Sequence, residues 1–171
     1  MNKESYFQVH VGQRSDFLKI LSKASYLNCG PLRSFFNERL KAGQSCFVID
    51  FQDCKSIDST FLGILVGLAL KIKKSDHSGS LTLLNLRGRN LETVENLGIH
   101  KIAVVSSEVC TDSSHLEALT SKRINGVASS KIIYQAHKAL MNLNEKNLKS
   151  FSDVVSYLAV SYTHLTLPTK A

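Results

Sequence analysis

Three consecutive polar residues, Asp58, Ser59 and Thr60, separate two strongly apolar segments of the chain. Residues 46–51 are almost uniformly apolar, which predicts a strand covered on both faces. Residues 61–70 are apolar on every side, which predicts a largely enclosed helix. Asp, Ser and Thr favour helix N-termini, because a short side-chain oxygen accepts hydrogen bonds from the free N–H groups of the first turn. The pattern therefore predicts that Ser59 lies at the first turn of a buried helix.

A serine hydroxyl at the start of a helix is well placed to carry a phosphate. The helix dipole and the unpaired N–H groups of the first turn both favour negative charge at that point. Ser59 is therefore a candidate phosphoacceptor. The alternative, which local chemistry alone favours, is that Ser59 only caps the helix.

The order of the elements around Ser59 adds to this interpretation. Residues 58–63 read Asp-Ser-Thr-Phe-Leu-Gly, a Gly-bounded strand is predicted at 79–86, and residues 90–102 read Asn-Leu-Glu-Thr-Val-Glu-Asn-Leu-Gly-Ile-His-Lys-Ile. This order resembles the STAS family, named after sulfate transporters and anti-sigma factor antagonists. Its usual string is Asp-Ser-Ser/Thr-Gly-Leu-Gly, followed later by a Leu-x-Gly-Leu/Ile-x-x-Ile type of segment. The resemblance covers roughly residues 5–106.

The resemblance implies a bacterial, cytoplasmic anti-sigma factor antagonist that regulates transcription indirectly. Such proteins bind a kinase-type anti-sigma factor, and that serine kinase switches them off by phosphorylating the serine after the motif aspartate. Ser59 matches that serine, Asp58 matches the aspartate, and Thr60 fills the second hydroxyl position. A serine phosphatase is implied as a second partner, and no cofactor is implied.

Two departures from the family pattern lie at the same place. Phe61 stands where the family usually has Gly, which would put an aromatic ring where a partner loop approaches the backbone. Residues 22–25 read Ser-Lys-Ala-Ser where the family often has a Gly-Glu-Leu-Asp type of string, so Ser25 replaces a carboxylate beside the phosphoacceptor. We therefore expect Ser25 and Phe61, with Asp58 and Thr60, to flank the phosphorylation site or contact the partner.

Other functions have little support in the sequence. Hydrolase Gly-x-Ser-x-Gly, phosphate-binding Gly-x-x-x-x-Gly-Lys and metal-binding His-Glu-x-x-His motifs are absent, so we expect no enzyme. The four cysteines lack metal-site spacing and are expected to be reduced thiols that act as small hydrophobic residues. The formal net charge is +7, but the basic residues are dispersed, and neither nucleic acid nor a membrane is expected as a partner. A non-switching STAS scaffold or a small-ligand-binding module remains the alternative.

Alternating strands and helices predict an α/β fold, a STAS-like mixed sheet of about four to five strands with helices packed on it. Strands are expected at 6–11, 16–21, 46–51, 81–86 and 102–106, and helices at 31–42, 59–74 and 88–97. Residues 1–106 would form this domain and fold without the rest.

The remainder of the chain is predicted to be less regular. Residues 107–129 are polar and form a predicted linker with a short helix around 116–121. Residues 130–159 predict a C-terminal helical hairpin, either folded against the domain or offered to a partner. His137, in this hairpin, is expected to be a solvated side chain without chemistry.

Residues 160–171 are best excluded from the fold. Their first ten residues, Val-Ser-Tyr-Thr-His-Leu-Thr-Leu-Pro-Thr, can be encoded by the transposon-end adapter used in sequencing libraries. We therefore expect residues 160–171 to be a sequencing-adapter scar rather than natural sequence.

Overall fold

Strands and helices alternate through most of the chain, as the sequence predicts. The computed structural model describes residues 6–75, 78–107, 117–119 and 126–161, and the backbone of the helix that continues to residue 166. The strands are β1 (Phe7–His10), β2 (Asp16–Ile20), β3 (Ser22–Ala24), β4 (Cys46–Asp50), β5 (Cys54–Ile57), β6 (Ser80–Leu84), β7 (Val104–Ser106) and β8 (Glu117–Ala118). The helices are α1 (Gly30–Lys41), α2 (Ser59–Ser75), α3 (Gly88–Asn96), α4 (Ser130–Met141) and α5 (Glu145–Thr166), with a 3₁₀ turn at Ile99–Lys101.

Six of these strands form one mixed sheet in the order β7-β6-β4-β2-β1-β8. The pairs from β2 to β7 are parallel, whereas β1 is antiparallel to both of its neighbours. Strand β4 lies inside the sheet, and helices connect the parallel strands. These positions explain why residues 46–51 are almost uniformly apolar, since such a strand is buried on both faces.

The hydrophobic core lies between this sheet and α1 and α2. Phe36 of α1 contacts Phe47 of β4 edge-on, with 5.6 Å between the ring centroids. Helix α2 is buried on nearly all sides, because α1 and the sheet contact part of it and α4 covers another part. The apolar composition of residues 61–70 therefore reflects a helix enclosed between a sheet and a second helix.

The sheet has six strands, one more than the upper end of the expected four to five. The five expected strands are all present, and β8 pairs with β1 as a sixth. The helix expected around residues 116–121 is wrong where the structure describes that stretch, since Glu117 and Ala118 are extended. A separate two-stranded sheet of β3 and β5 was also not predicted. All three strands are too short to carry a periodic pattern of their own.

The helical hairpin folds back against the domain. Ser129 caps α4 by accepting a hydrogen bond from the Ile132 N–H, at 3.3 Å. Ala136 and Leu140 of α4 are buried in the same core as the sheet, and so is Ala128, in the predicted linker. The independence of residues 1–106 stays a prediction, but residues beyond 106 contribute to the core.

Residues 160–166 continue α5. The helical backbone extends from Glu145 to Thr166, and Val160 is 72% exposed. The side chains of residues 162–171 lie outside the described residues, and the scar interpretation stays a prediction.

Two further expectations concern membranes and thiols. Within the described residues, no helix is long and apolar enough to cross a bilayer. Cys29, Cys46 and Cys54 are free thiols. Burial raises the pKa of Cys29 to about 12 and that of Cys54 to about 11, so both are protonated at neutral pH.

Candidate functional site

Asp58 fixes the start of α2 with both of its carboxylate oxygens. Oδ1 accepts a hydrogen bond from the Phe61 N–H at 2.9 Å, and Oδ2 accepts one from the Tyr26 N–H at 2.7 Å. Its own N–H donates to the Ala24 carbonyl at 3.1 Å. Asp58 therefore caps the helix, as the Asp-Ser-Thr sequence predicts. It also ties the helix to the loop after β3, which the sequence did not predict.

Ser59 is the first residue of α2, and its hydroxyl contacts the C-terminal hairpin. Its Oγ lies 2.8 Å from Nε2 of His137 in α4. The Nδ1 atom of His137 lies 2.8 Å from the Ile133 carbonyl oxygen, which can only accept. Nδ1 therefore carries the proton in the neutral imidazole, and Nε2 accepts the hydrogen bond that the Ser59 hydroxyl donates.

The expectation that His137 is a solvated side chain is wrong. Only 8% of the residue is exposed, and its ring contacts that of Phe151 in α5, with centroids 6.0 Å apart. A signal was present in the sequence: His137 lies four residues after Ile133 and three before Leu140, on the apolar face of α4. That spacing indicates a buried histidine, but it does not name Ser59 as its partner.

Helices α2 and α4 approach each other closely beside this hydrogen bond. A Cβ atom added at Gly63 would overlap the Ala136 carbonyl and lie 2.7 Å from the Ala136 Cα. The same atom added at Gly67, one turn further along α2, would meet nothing within 4 Å. Gly63 is therefore required by the packing of α4, whereas Gly67 is not.

The other expected site residues divide between the core and the surface. Thr60 is 3% exposed, and Phe61 is fully buried, with its ring 6.1 Å from that of Phe51. The expected aromatic ring in the path of a partner loop is therefore absent, because Phe61 points into the core. Ser25 lies in the loop bound to Asp58, where its Oγ accepts a hydrogen bond from the Leu27 N–H at 3.2 Å.

Apolar side chains are exposed next to this site. Tyr26 is 46% exposed and Leu27 is 47% exposed, directly after Ser25. Val127 is 38% exposed and lies on the adjacent segment, where the Ala128 N–H donates to the Tyr26 carbonyl at 2.7 Å. We call Tyr26, Leu27 and Val127 the apolar patch. Exposed apolar groups beside a polar site are typical of protein-binding surfaces.

Replacing Asp58 with alanine is expected to lower the free energy of unfolding by about 1–2 kcal/mol, because two backbone N–H groups lose their acceptor. Chemical denaturation followed by circular dichroism measures the loss. Asp58→Asn is the matched control, since its amide oxygen can still accept from the Phe61 N–H, and it should lose about half as much. Equal stability of Asp58→Ala and the natural protein would contradict the capping role.

A metal site is not formed by the residues that the structure describes. Among them, no three His, Cys, Asp or Glu side chains are grouped so that they could hold a metal ion. The Ser59–His137 pair resembles two members of a Ser-His-Asp catalytic triad. The third member differs, because a backbone carbonyl and not a carboxylate orients the imidazole.

Comparison with known proteins shows the fold. No family model and no curated protein matches the sequence. Among solved structures, the anti-sigma factor antagonist SpoIIAA in its unphosphorylated form matches with a TM-score of 0.51 and 15% identity, over 60% of this chain and 89% of that chain. Phosphorylated SpoIIAA of Bacillus matches with a TM-score of 0.50 and 15% identity, over 60% and 92% of the two chains. A candidate anti-sigma factor antagonist from Thermotoga maritima matches with a TM-score of 0.55 and 19% identity, over 60% and 87%.

These structures place the chain in the STAS fold, as the sequence motifs predict. The match spans 60% of the chain, so a substantial part of the chain lies outside it.

Proposed function

We propose that this protein is an anti-sigma factor antagonist that binds a kinase-type anti-sigma factor and is switched off when that kinase phosphorylates Ser59. The observation that carries the proposal is the position of the Ser59 hydroxyl. It lies at the first turn of α2, directly after the Asp58 cap, on a STAS fold. That position combines a helix N-terminus, where negative charge is favourable, with a nucleophile that can accept a phosphoryl group.

Burial distinguishes Ser59 from its neighbour. Thr60 is 3% exposed, so a kinase cannot reach its hydroxyl without opening the core, whereas Ser59 is only half-buried. In the reaction, the Ser59 oxygen bonds to the γ-phosphorus of ATP as the bond to the β,γ-bridging oxygen breaks. The hydroxyl proton leaves to a base, and ADP departs.

The apolar patch supports binding of a protein partner at the same place. Tyr26 and Leu27 follow Ser25, and the hydrogen bond from the Tyr26 N–H to Asp58 holds them beside the start of α2. A partner that covers the patch would have its surface close to Ser59. Phosphorylation would then add about 1.5–2 negative charges at the edge of that interface.

A mass-spectrometric experiment tests the proposal. The purified protein is incubated with ATP and, one at a time, the anti-sigma serine kinases of its source organism, and the modified residue is mapped. We expect one phosphate at Ser59 with at least one kinase, none in Ser59→Ala, and a normal level in Thr60→Ala. Phosphate confined to another residue, or none with any kinase, would contradict the proposal.

A cleft between α1, α2 and α4 favours the alternative of a small-ligand module. Its volume is about 270 Å³, and its polar lining residues are Arg33, Asn37, Lys71 and Gln135. Burial, and then the charge of Arg33, lower the pKa of Lys71. The Gln135 Oε1 atom is buried without a hydrogen-bond partner. A protein that uses this cleft without switching would show no phosphate at Ser59 in the same experiment.

A further inference from the structure

The C-terminal hairpin covers one side of the candidate phosphoacceptor. His137 of α4 accepts the hydrogen bond of the Ser59 hydroxyl at 2.8 Å, and its ring is itself held by the Ile133 carbonyl and by contact with Phe151. Only 8% of His137 is exposed, and its Nε2 atom contacts the Ser59 oxygen, so the imidazole occupies one side of the half-buried hydroxyl. Phosphoryl transfer needs the attacking oxygen free and roughly in line with the leaving oxygen. The closed hairpin restricts that approach.

The hairpin is attached to the domain at two separate places. At one end, α4 packs on α2 through the Gly63–Ala136 contact beside Ser59. At the other end, the turn between α4 and α5 is bound to the carbonyl of Leu97, which accepts from Asn144 Nδ2 at 3.1 Å and from Asn147 Nδ2 at 2.9 Å. The second attachment does not involve α2, so it does not depend directly on the contact between α2 and α4.

We propose that the α4–α5 hairpin is an inhibitory cover, which holds Ser59 through His137 and must leave α2 before Ser59 can react. The proposal rests on the proposed function for its regulatory meaning, because the reaction that the cover controls is phosphorylation of Ser59. The cover itself is a property of α2 and α4, and it can be tested without a kinase.

Two glycine substitutions on the same helix separate open from closed forms. Gly63→Ala places a methyl group against the Ala136 backbone and should push α4 away from α2. Gly67→Ala adds the same methyl group with nothing within 4 Å and should leave α4 in place. Both changes raise helix propensity by the same amount, so α2 should be retained in each variant.

The first measurement is the alkylation of Ser59→Cys by iodoacetamide, mapped by mass spectrometry in each glycine background. We expect alkylation at position 59 to be at least about tenfold faster with Gly63→Ala than with Gly67→Ala, because the hairpin shields one side of the thiol in the closed form and not in the open form. Cys29, which is fully buried, reports global unfolding in the same samples and should react equally slowly in both. Equal rates at position 59 would overturn the proposal.

A second variant guards against loss of the fold. If Gly63→Ala also exposes Cys29, His137→Ala in the Ser59→Cys protein decides the matter, since alanine removes both the ring beside position 59 and the hydrogen-bond acceptor. We expect alkylation at position 59 to be several-fold faster than with His137 in place. An unchanged rate would overturn the proposal.

Phosphorylation by the kinase identified above then tests the regulatory role. We expect the initial rate at Ser59 to be at least about tenfold higher for Gly63→Ala than for Gly67→Ala. If Gly63→Ala and Gly67→Ala differ in alkylation but are phosphorylated at equal rates, the inhibitory role is overturned and the proposed function stays intact. If no form is phosphorylated, the proposed function fails, and the alkylation result still decides whether the hairpin covers position 59.

Discussion

Replacing Phe61 with alanine is expected to lower the free energy of unfolding by about 3–5 kcal/mol, a large share of the stability of a small domain. The ring is fully buried and contacts Phe51 at the end of β4, so its removal leaves a cavity between the sheet and the first turn of α2. Urea denaturation, followed by circular dichroism, measures the loss. Such a change would also reach Ser59, because the ring anchors the turn that carries the hydroxyl.

Leu70→Ala on the same helix is the matched control. Leu70 is 36% exposed, and its truncation removes little buried area, so the expected loss is about 1 kcal/mol or less. A loss for Phe61→Ala no larger than that of the control would mean that the ring is not part of the core. It would restore the idea that Phe61 faces a partner.

Phe61 shows what the sequence could and could not predict about this site. The position of Ser59 follows from local chemistry, because Asp58 and the apolar residues after it indicate a helix start. The direction of the Phe61 side chain does not follow. Residues 61–70 are apolar on every side, so the helical period identifies no buried face that would orient the ring.

The partner of Ser59 could not be predicted for a different reason. His137 is 78 residues away, and no local pattern links the two. The sequence indicated a helical hairpin at residues 130–159 with an apolar face, and that face is the side placed on α2. It did not indicate which surface the hairpin covers, since that depends on the close approach at Gly63. Tertiary packing therefore decided the surroundings of the candidate site.

The inner strands of the sheet were easier to predict than the edge strand β8. Strands β2, β4 and β6 are bounded by turn residues and carry buried apolar side chains that a sequence pattern can identify. Strand β8 has two residues, both exposed, and is defined only by its pairing with β1. A segment of that length has no periodicity, so the sequence could not separate it from a short helix.

Replacing Ser59 with aspartate is expected to weaken binding of the anti-sigma kinase by about 100-fold, which corresponds to about 2.7 kcal/mol. The added carboxylate would lie next to Asp58, at the edge of the interface that a partner forms with the apolar patch. An unpaired charge, or a like charge opposite it, weakens the binding free energy there by several kcal/mol. The fold should survive, because negative charge at the first turn of a helix is favourable. Far-UV circular dichroism should therefore be unchanged.

Two further variants separate charge from size in that measurement. Ser59→Asn has nearly the shape of the aspartate without its charge and should bind far more tightly, while Ser59→Ala should bind at least as well as the natural protein. Affinities are measured by titration calorimetry in the full chain and again with Gly63→Ala, so that a closed hairpin does not hide the difference. Equal affinities for Ser59→Ala and Ser59→Asp in both backgrounds would exclude charge at position 59 as the switch. Ser59 would then only join the start of α2 to His137, and the STAS fold would serve this protein without phosphorylation.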